Sequence, residues 1–409
     1  MLWFRIAWRN LWRNRRRTGI QLAAIAGSMF LAVFFNNMSL GMYTGMIDNG
    51  VSSGSGHIGL YHERYLDDRL VADTVPADAL IGPLEQDPDV VAVYPRLHVP
   101  GLLRSSRDSR AAGAMGLDFE REAGHNPLLD SKSLVEGSLP TGHNGILIGA
   151  TLAKELKVKV GKKVVWMAQD ANGEIASQLF KVSGIIRTNV KAIDAGTVVI
   201  PREALARLIG REGSAHEVAV ILRGPEGVQA ALPRLSAIAS AEGATRAYPW
   251  QKAMPSLSTL IEIGNAKQKA IVFILFGLVA IGTLNTMLMS VMERTREFGV
   301  IRAIGVGKHA IRLMILVEAL VLGLIGSGVG AGGALLLGIH TSTTGIDLSA
   351  AYKDMDIGGI AIDPIIRTGW DWPLTFGLCA GMLVLSVLAS LYPARRALKI
   401  RPADAMRTY

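Results

Sequence analysis

TGIQLAAIAGSMFLAVFFNNMSLGMYTGMI, residues 18–47, is a run without a single charge, closed by Asp48. At 1.5 Å per residue a helix over this run reaches roughly 45 Å, well beyond the ~30 Å hydrocarbon core of a bilayer. It predicts a membrane span that continues outside the membrane as a stalk. Three more runs fit a bilayer: residues 270–292 and 373–394 without charge, and 313–339 with Glu318 as its only charge.

The overall composition agrees. Half of the 409 residues are hydrophobic and the mean hydropathy is +0.31, yet the pI is near 9.7, a pairing that soluble globular proteins rarely show. A net charge of +9 raises the question of nucleic acid, but the basic residues cluster beside apolar spans and not beside surface aromatics, which excludes it. Cys379, the only cysteine, lies in an apolar run, so neither an intrachain disulfide nor a thiolate metal cluster can form.

Charge sets the expected orientation. Arg5, Arg9, Arg13, Arg15, Arg16 and Arg17 precede the first span with no acid among them. Together with the loop 293–312 and the tail 395–409, these segments hold 16 basic and 3 acidic residues, leaving 27 and 31 elsewhere. The positive-inside rule then puts both termini in the cytosol and residues 48–269 in the periplasm of a bacterial inner-membrane protein. The first run is about twice the length of a signal-peptide core and lacks a cleavage site, so it reads as retained. Trp3, Phe4, Trp8 and Trp12 among the arginines read residues 1–17 as an interfacial helix.

Residues 48–269 begin strand–helix–strand (56–61, 76–86, 90–103) and end strand–helix–strand (216–223, 225–240, 245–248). The expectation is one split α+β subdomain, about 48–104 and 215–269. Between the halves, residues 146–149, 162–169, 178–186 and 197–200 are rich in β-branched residues and Asn172-Gly173 signals a hairpin, which predicts an inserted β-rich subdomain over about 105–214. The fold class is thus membrane α-helical, four transmembrane helices, plus a large α+β extracytoplasmic domain with that insertion. A second outer loop spans 340–372.

No chemistry of catalysis is legible. His57, His62, His98, His125, His143 and His216 are scattered without HExxH spacing, and Ser53 and Ser55 sit in a Gly/Ser turn without a nucleophile elbow. No catalytic, metal or cofactor residue is assigned. ATP-binding GxxxxGK[ST] is missing as well: Gly307-Lys308 is followed by His and Gly161-Lys162 by Lys.

The loop ERTREFGVIRAIGVGK, residues 293–308, carries Phe298, Ile301 and Ile304 on one helix face, suited to a partner's groove, and Arg294, Arg296 and Arg302 are expected to pair with a partner's acids. The run NTMLMSVMERTREFGVIRAIG (285–305), the LVEA at 316–319 and the tail YPARRALKIRPADAMR (392–407) closely resemble the FtsX-like ABC permeases, the superfamily of MacB and LolC/LolE. GHIGLYH (56–62) and LAKELKVKVG (152–161) look closer to the LolC/LolE branch.

The resemblance implies a dimer of permeases, identical or homologous, on a cytosolic ABC ATPase dimer that binds the ATP and Mg. Glu293, Arg294, Arg296, Glu297, Phe298, Ile301 and Arg302 would form the coupling helix, and nucleotide-driven closure would pass through stalk helices to the periplasmic domain. The substrate it implies is a lipoprotein or another amphiphile, handed to a periplasmic acceptor or chaperone. The alternative within the family is an FtsX-like signalling scaffold that activates cell-wall hydrolases without transport.

Glu318, about 9 Å into the third span, needs a partner there, with Arg302 or Arg312 as candidates. Gly326, Gly328, Gly330 and Gly332 predict close helix packing. Asn36 and Asn37, polar near the outer end of the first span, are candidates for lining a path by which substrate enters between subunits.

Overall fold

The structure, a computed structural model, describes residue 9 and residues 11–188, 190–347 and 365–398. Most of the arginine–tryptophan segment, the middle of the second outer loop and the tail beyond Leu398 lie outside the described residues. The chain divides into two units, one built from residues up to 44, 262–347 and 365 onward, the other from 45–261.

Four helices among the described residues are long and apolar enough to cross a membrane, and their apolar parts make up most of the first unit: Arg15–Ser53, Pro255–Glu293, Lys308–Thr344 and Trp372–Leu398. The second starts some fifteen residues before its apolar run, because PSLSTLIEIGNAKQK has helix-forming residues behind a proline at the first turn, where the missing N–H is not needed. Hydropathy sees only the apolar part of such a helix. The core packs Ile25, Met29 and Val33 against Ala319, Leu322, Ala331 and Ala334, with Val279, Met287, Leu378 and Met382. Phe273 and Leu336, 79% and 72% exposed, face outward as lipid-facing side chains do.

The second unit is built on one ten-stranded sheet. Its strands are β1 Ile58–His62, β2 Val90–Arg104, β3 Ser109–Leu117, β4 Leu134–Gly137, β5 Gly145–Gly149, β6 Lys163–Gln169, β7 Ile175–Ile186, β8 Thr197–Pro201, β9 Glu217–Leu222 and β10 Thr245–Pro249. β10, β1, β9 and the first half of β2 pair antiparallel. Helices Ala77–Glu85 and Val228–Ala241 cover them around Ile58, Leu60, Leu80, Val93, Val220 and Leu235.

From Leu97 onward β2 changes partners and pairs with β3 and, over Gly101–Arg104, with β6. The pairings β2–β3–β8–β5–β7–β6–β2 then close into a six-stranded ring, which leaves no free edge among those strands. Trp166, Phe180, Leu103 and Ile146 belong to the core of this lobe. The expected boundary near residue 104 thus falls at the end of a strand that both lobes share.

The turn at Asn172-Gly173 connects β6 to β7. Gly173 takes the left-handed conformation at φ +89° and the Asp170 carboxylate accepts the N–H of Asn172 and of Glu174, each at 2.8 Å.

One buried charge pair holds the junction of the lobes. Arg96, at the point where β2 changes partners, is fully buried, and its Nε and Nη2 donate to the equally buried carboxylate of Glu122 at 3.1 and 2.6 Å. The same guanidinium donates to the carbonyls of Ser52, at 2.7 Å, and Gly54, where the first long helix ends. Helix ends leave carbonyls unsatisfied and carry partial negative charge, and a guanidinium answers both. Asn126 donates to Glu122 at 2.7 Å and completes the cluster.

Candidate functional site

Between the second and third long helices the backbone breaks at Arg294 and re-forms as a short helix, Thr295–Ala303. The Thr295 hydroxyl bonds back to Met292 at 2.7 Å, and the far end closes through Gly305 at φ +95°. There Gly305 N–H reaches the Arg302 carbonyl and Val306 N–H the Ile301 carbonyl, the two bonds of a Schellman turn. A Cβ at Gly305 would be strained in that conformation.

The short helix is seated on its own chain. Phe298, 1% exposed, packs among Val291, Ile311, Met314, Ile315, Ala394 and Ala397, with Ile301 and Leu398 beside them. Arg294 is buried next to it. Its Nη1 lies 3.3 Å from Glu318, its Nε 3.1 Å from Glu297, and its guanidinium carbon 5.1 Å from the centre of the Phe298 ring. Arg302 donates to the carbonyl of Leu398 at 3.4 Å, the end of the fourth long helix. Around the rim, Arg13 bonds Glu297 and Arg17 bonds Glu293 at 2.7 Å. Burial alone would raise the Glu297 carboxyl, but the bonds from Arg13 and Arg294 outweigh it and hold it below the usual carboxylate range.

These contacts correct three expectations. Phe298 is not offered to a partner, because the chain itself covers it, and Ile301 packs partly buried against the same cluster. What stays outward on the short helix is Arg296 and Val300, flanked by Met292 before the break and Ile304 just past the end; Met292, Val300 and Ile304 are 51%, 47% and 76% exposed. Arg294 is likewise spent internally, on Glu318 and Glu297. Finally, Glu318 finds Arg294 and not Arg302 or Arg312, since Arg312 is six residues away on a different face of the same helix.

Gly326 and Gly330 let the third long helix approach the first. A Cβ on Gly330 would stand 2.3 Å from the Ala26 carbonyl oxygen, and one on Gly326 2.6 Å from Ile25. Gly328 and Gly332 meet nothing within 4 Å, so only half of the glycine set serves this contact. Gly330→Val is expected to destabilise the protein by about 1–3 kcal/mol through overpacking, whereas Gly328→Val leaves thermal melting of the detergent-solubilised chain unchanged.

Asn36 is half-buried, while Asn37 is 1% exposed with neither side-chain amide atom hydrogen-bonded. Asn37 therefore points into the helix packing, away from a surface path for substrate. Among the described residues no three His, Cys, Asp or Glu side chains are placed to hold a metal ion.

Two family profiles match the chain: the MacB-like periplasmic core domain over residues 18–238 and the FtsX-like permease C-terminal region over residues 269–402. The lipoprotein-releasing system transmembrane protein LolC of Xylella fastidiosa is 24% identical over 357 residues, covering 73% of this chain and 81% of its own. The macrolide export ATP-binding/permease protein MacB of Haemophilus ducreyi is 32% identical over 139 residues, 34% of this chain and 17% of its own. Among solved structures, the periplasmic region of MacB from Actinobacillus actinomycetemcomitans aligns with 52% of this chain and 97% of its own at 15% identity and a TM-score of 0.37. With one profile spanning more than half of the sequence and a second covering the loop helix and the last three spans, the chain belongs to the FtsX-like ABC transporter permeases of the MacB/LolC/LolE superfamily.

Proposed function

We propose that this chain couples ATP hydrolysis on a separate cytosolic ATPase dimer to movement of its periplasmic domain, and that the movement extracts or exports a lipoprotein or another amphiphile from the inner membrane. It does so beside a second permease subunit and delivers to a periplasmic acceptor. The observation that carries the reading is the seating of the short helix Thr295–Ala303. It is fixed to the chain by Phe298 and the Arg294–Glu318 pair, and it keeps Arg296 and Val300 outward, with Met292 and Ile304 exposed beside its two ends. A lever needs both properties, a rigid attachment on one side and a free contact on the other. The lipoprotein-releasing relatives support the substrate class.

Arg296→Glu combined with Val300→Asp tests this. Losing an apolar anchor and reversing a charge at one interface removes several kcal/mol of binding, so an ABC ATPase that copurifies with the wild-type chain from native membranes is expected to fall by about a hundredfold or more. Insertion and yield of the permease stay unchanged. Equal recovery of the ATPase with the variant, or no ATPase with the wild type, would refute the coupling.

A further inference from the structure

We propose that the hollow between the first and second long helices, beside Arg16 and Asn285, binds one anionic phospholipid of the leaflet on the loop-helix side. The hollow measures about 430 Å³. Its height in the bilayer follows from two contacts: Arg17 to Glu293 at 2.7 Å and Arg13 to Glu297 bring the basic start of one helix level with the acidic end of the other. From that level inward both helices carry no charge for at least 23 residues. The hollow therefore straddles the boundary between headgroups and acyl chains.

Its lining is matched to a phosphate above and a hydrocarbon below. Arg16 is exposed, Asn285 is exposed and Thr286 half-exposed, and none of the three side chains has a hydrogen bond or ion pair within the described residues. Asn285 stands eight residues before Glu293, roughly 12 Å along the helix. An open amide at that depth, surrounded by acyl chains, is costly unless a ligand bonds to it. The phosphate and ester oxygens of a phospholipid supply acceptors for the Asn285 amide and for the Arg16 fork. Ile20 and Met289, 73% and 56% exposed, offer the acyl chain an apolar wall. Two guanidinium groups against the single carboxylate of Glu293 leave the hollow net positive, which selects an anionic over a zwitterionic headgroup.

The full-length chain in phosphatidylcholine nanodiscs doped with phosphatidylglycerol, released into detergent and weighed by native mass spectrometry, tests the site. Wild type is expected to retain phosphatidylglycerol over phosphatidylcholine by about tenfold, the worth of one arginine near the surface plus its hydrogen bonds. Arg16→Gln with Asn285→Leu loses the preference, while Arg16→Lys keeps most of it. Both positions of substitution, Arg16 and Asn285, carry exposed side chains, and an unchanged circular dichroism spectrum accompanies the expected result. Equal retention of phosphatidylcholine, an unchanged preference in the double variant, or displacement of the lipid by millimolar inorganic phosphate, which would mark a free-anion site, each overturns the proposal.

Discussion

Arg96→Met is expected to destabilise the extramembrane unit by about 3–5 kcal/mol, because it strands the Glu122 carboxylate in the protein interior. Both side chains are fully buried, and among the described residues the Glu122 carboxylate accepts from Arg96 and Asn126 alone. Removing the cation leaves one charge with neither water nor counter-ion, and it also frees the carbonyls of Ser52 and Gly54 that Arg96 had satisfied. Native-state proteolysis of the purified chain is the measurement: cleavage within residues 45–261 should accelerate by at least two orders of magnitude. The double variant Arg96→Met with Glu122→Gln separates the two losses. It removes both buried charges, so most of the stability should return, but the end of the first helix stays unfastened. Amides around residues 50–56 should then exchange faster than in wild type while the strands remain protected. If Arg96→Met were as resistant as wild type, the pair would not hold the junction.

The sequence disclosed the parts of this protein whose signal is local. Four apolar runs gave the spans, and the β-rich runs gave β5, β6 and β9 to within one residue at each end, since each of these is set by its own side chains. β3 escaped notice because SRAAGAMGL is short of β-branched residues, and its place between β2 and β8 comes from pairing, not propensity. The polar first part of the second long helix escaped for the opposite reason, being helical without being apolar. In the candidate site, the loop helix and Glu318 were legible as features, but their connection was not. Arg294 and Glu318 are 24 residues apart, and Arg96 and Glu122 are 26 apart, so only the fold brings them together. An apolar helix face states that something will cover it. Whether the cover is the same chain or a partner is decided by packing, as Phe298 shows.

The same principle gives the second large effect. Arg294→Ala should release the helix Thr295–Ala303 from its seat, by about 3 kcal/mol, since Glu318 is left buried in a span without its cation. Three contacts go at once: the bond to Glu318, the bond to Glu297 and the cation over the Phe298 ring, a contact worth about 0.5–2 kcal/mol in its own right. Hydrogen exchange of the chain in nanodiscs reads the outcome directly. Amides of residues 295–303 are expected to exchange roughly a hundredfold faster, while the third long helix past Glu318 is unaffected. Adding Glu318→Gln should return part of the protection, because a neutral amide tolerates the site without a counter-ion. Arg294→Lys should return less than its charge suggests, since an ammonium cannot reach two carboxylates and lie flat over the ring together. Unaltered exchange in Arg294→Ala would mean that Phe298 alone seats the helix. Under the proposed coupling, release at this pair should also abolish the effect on the ATPase, with the outward residues Arg296 and Val300 still in place. That combination distinguishes a broken attachment from a broken contact.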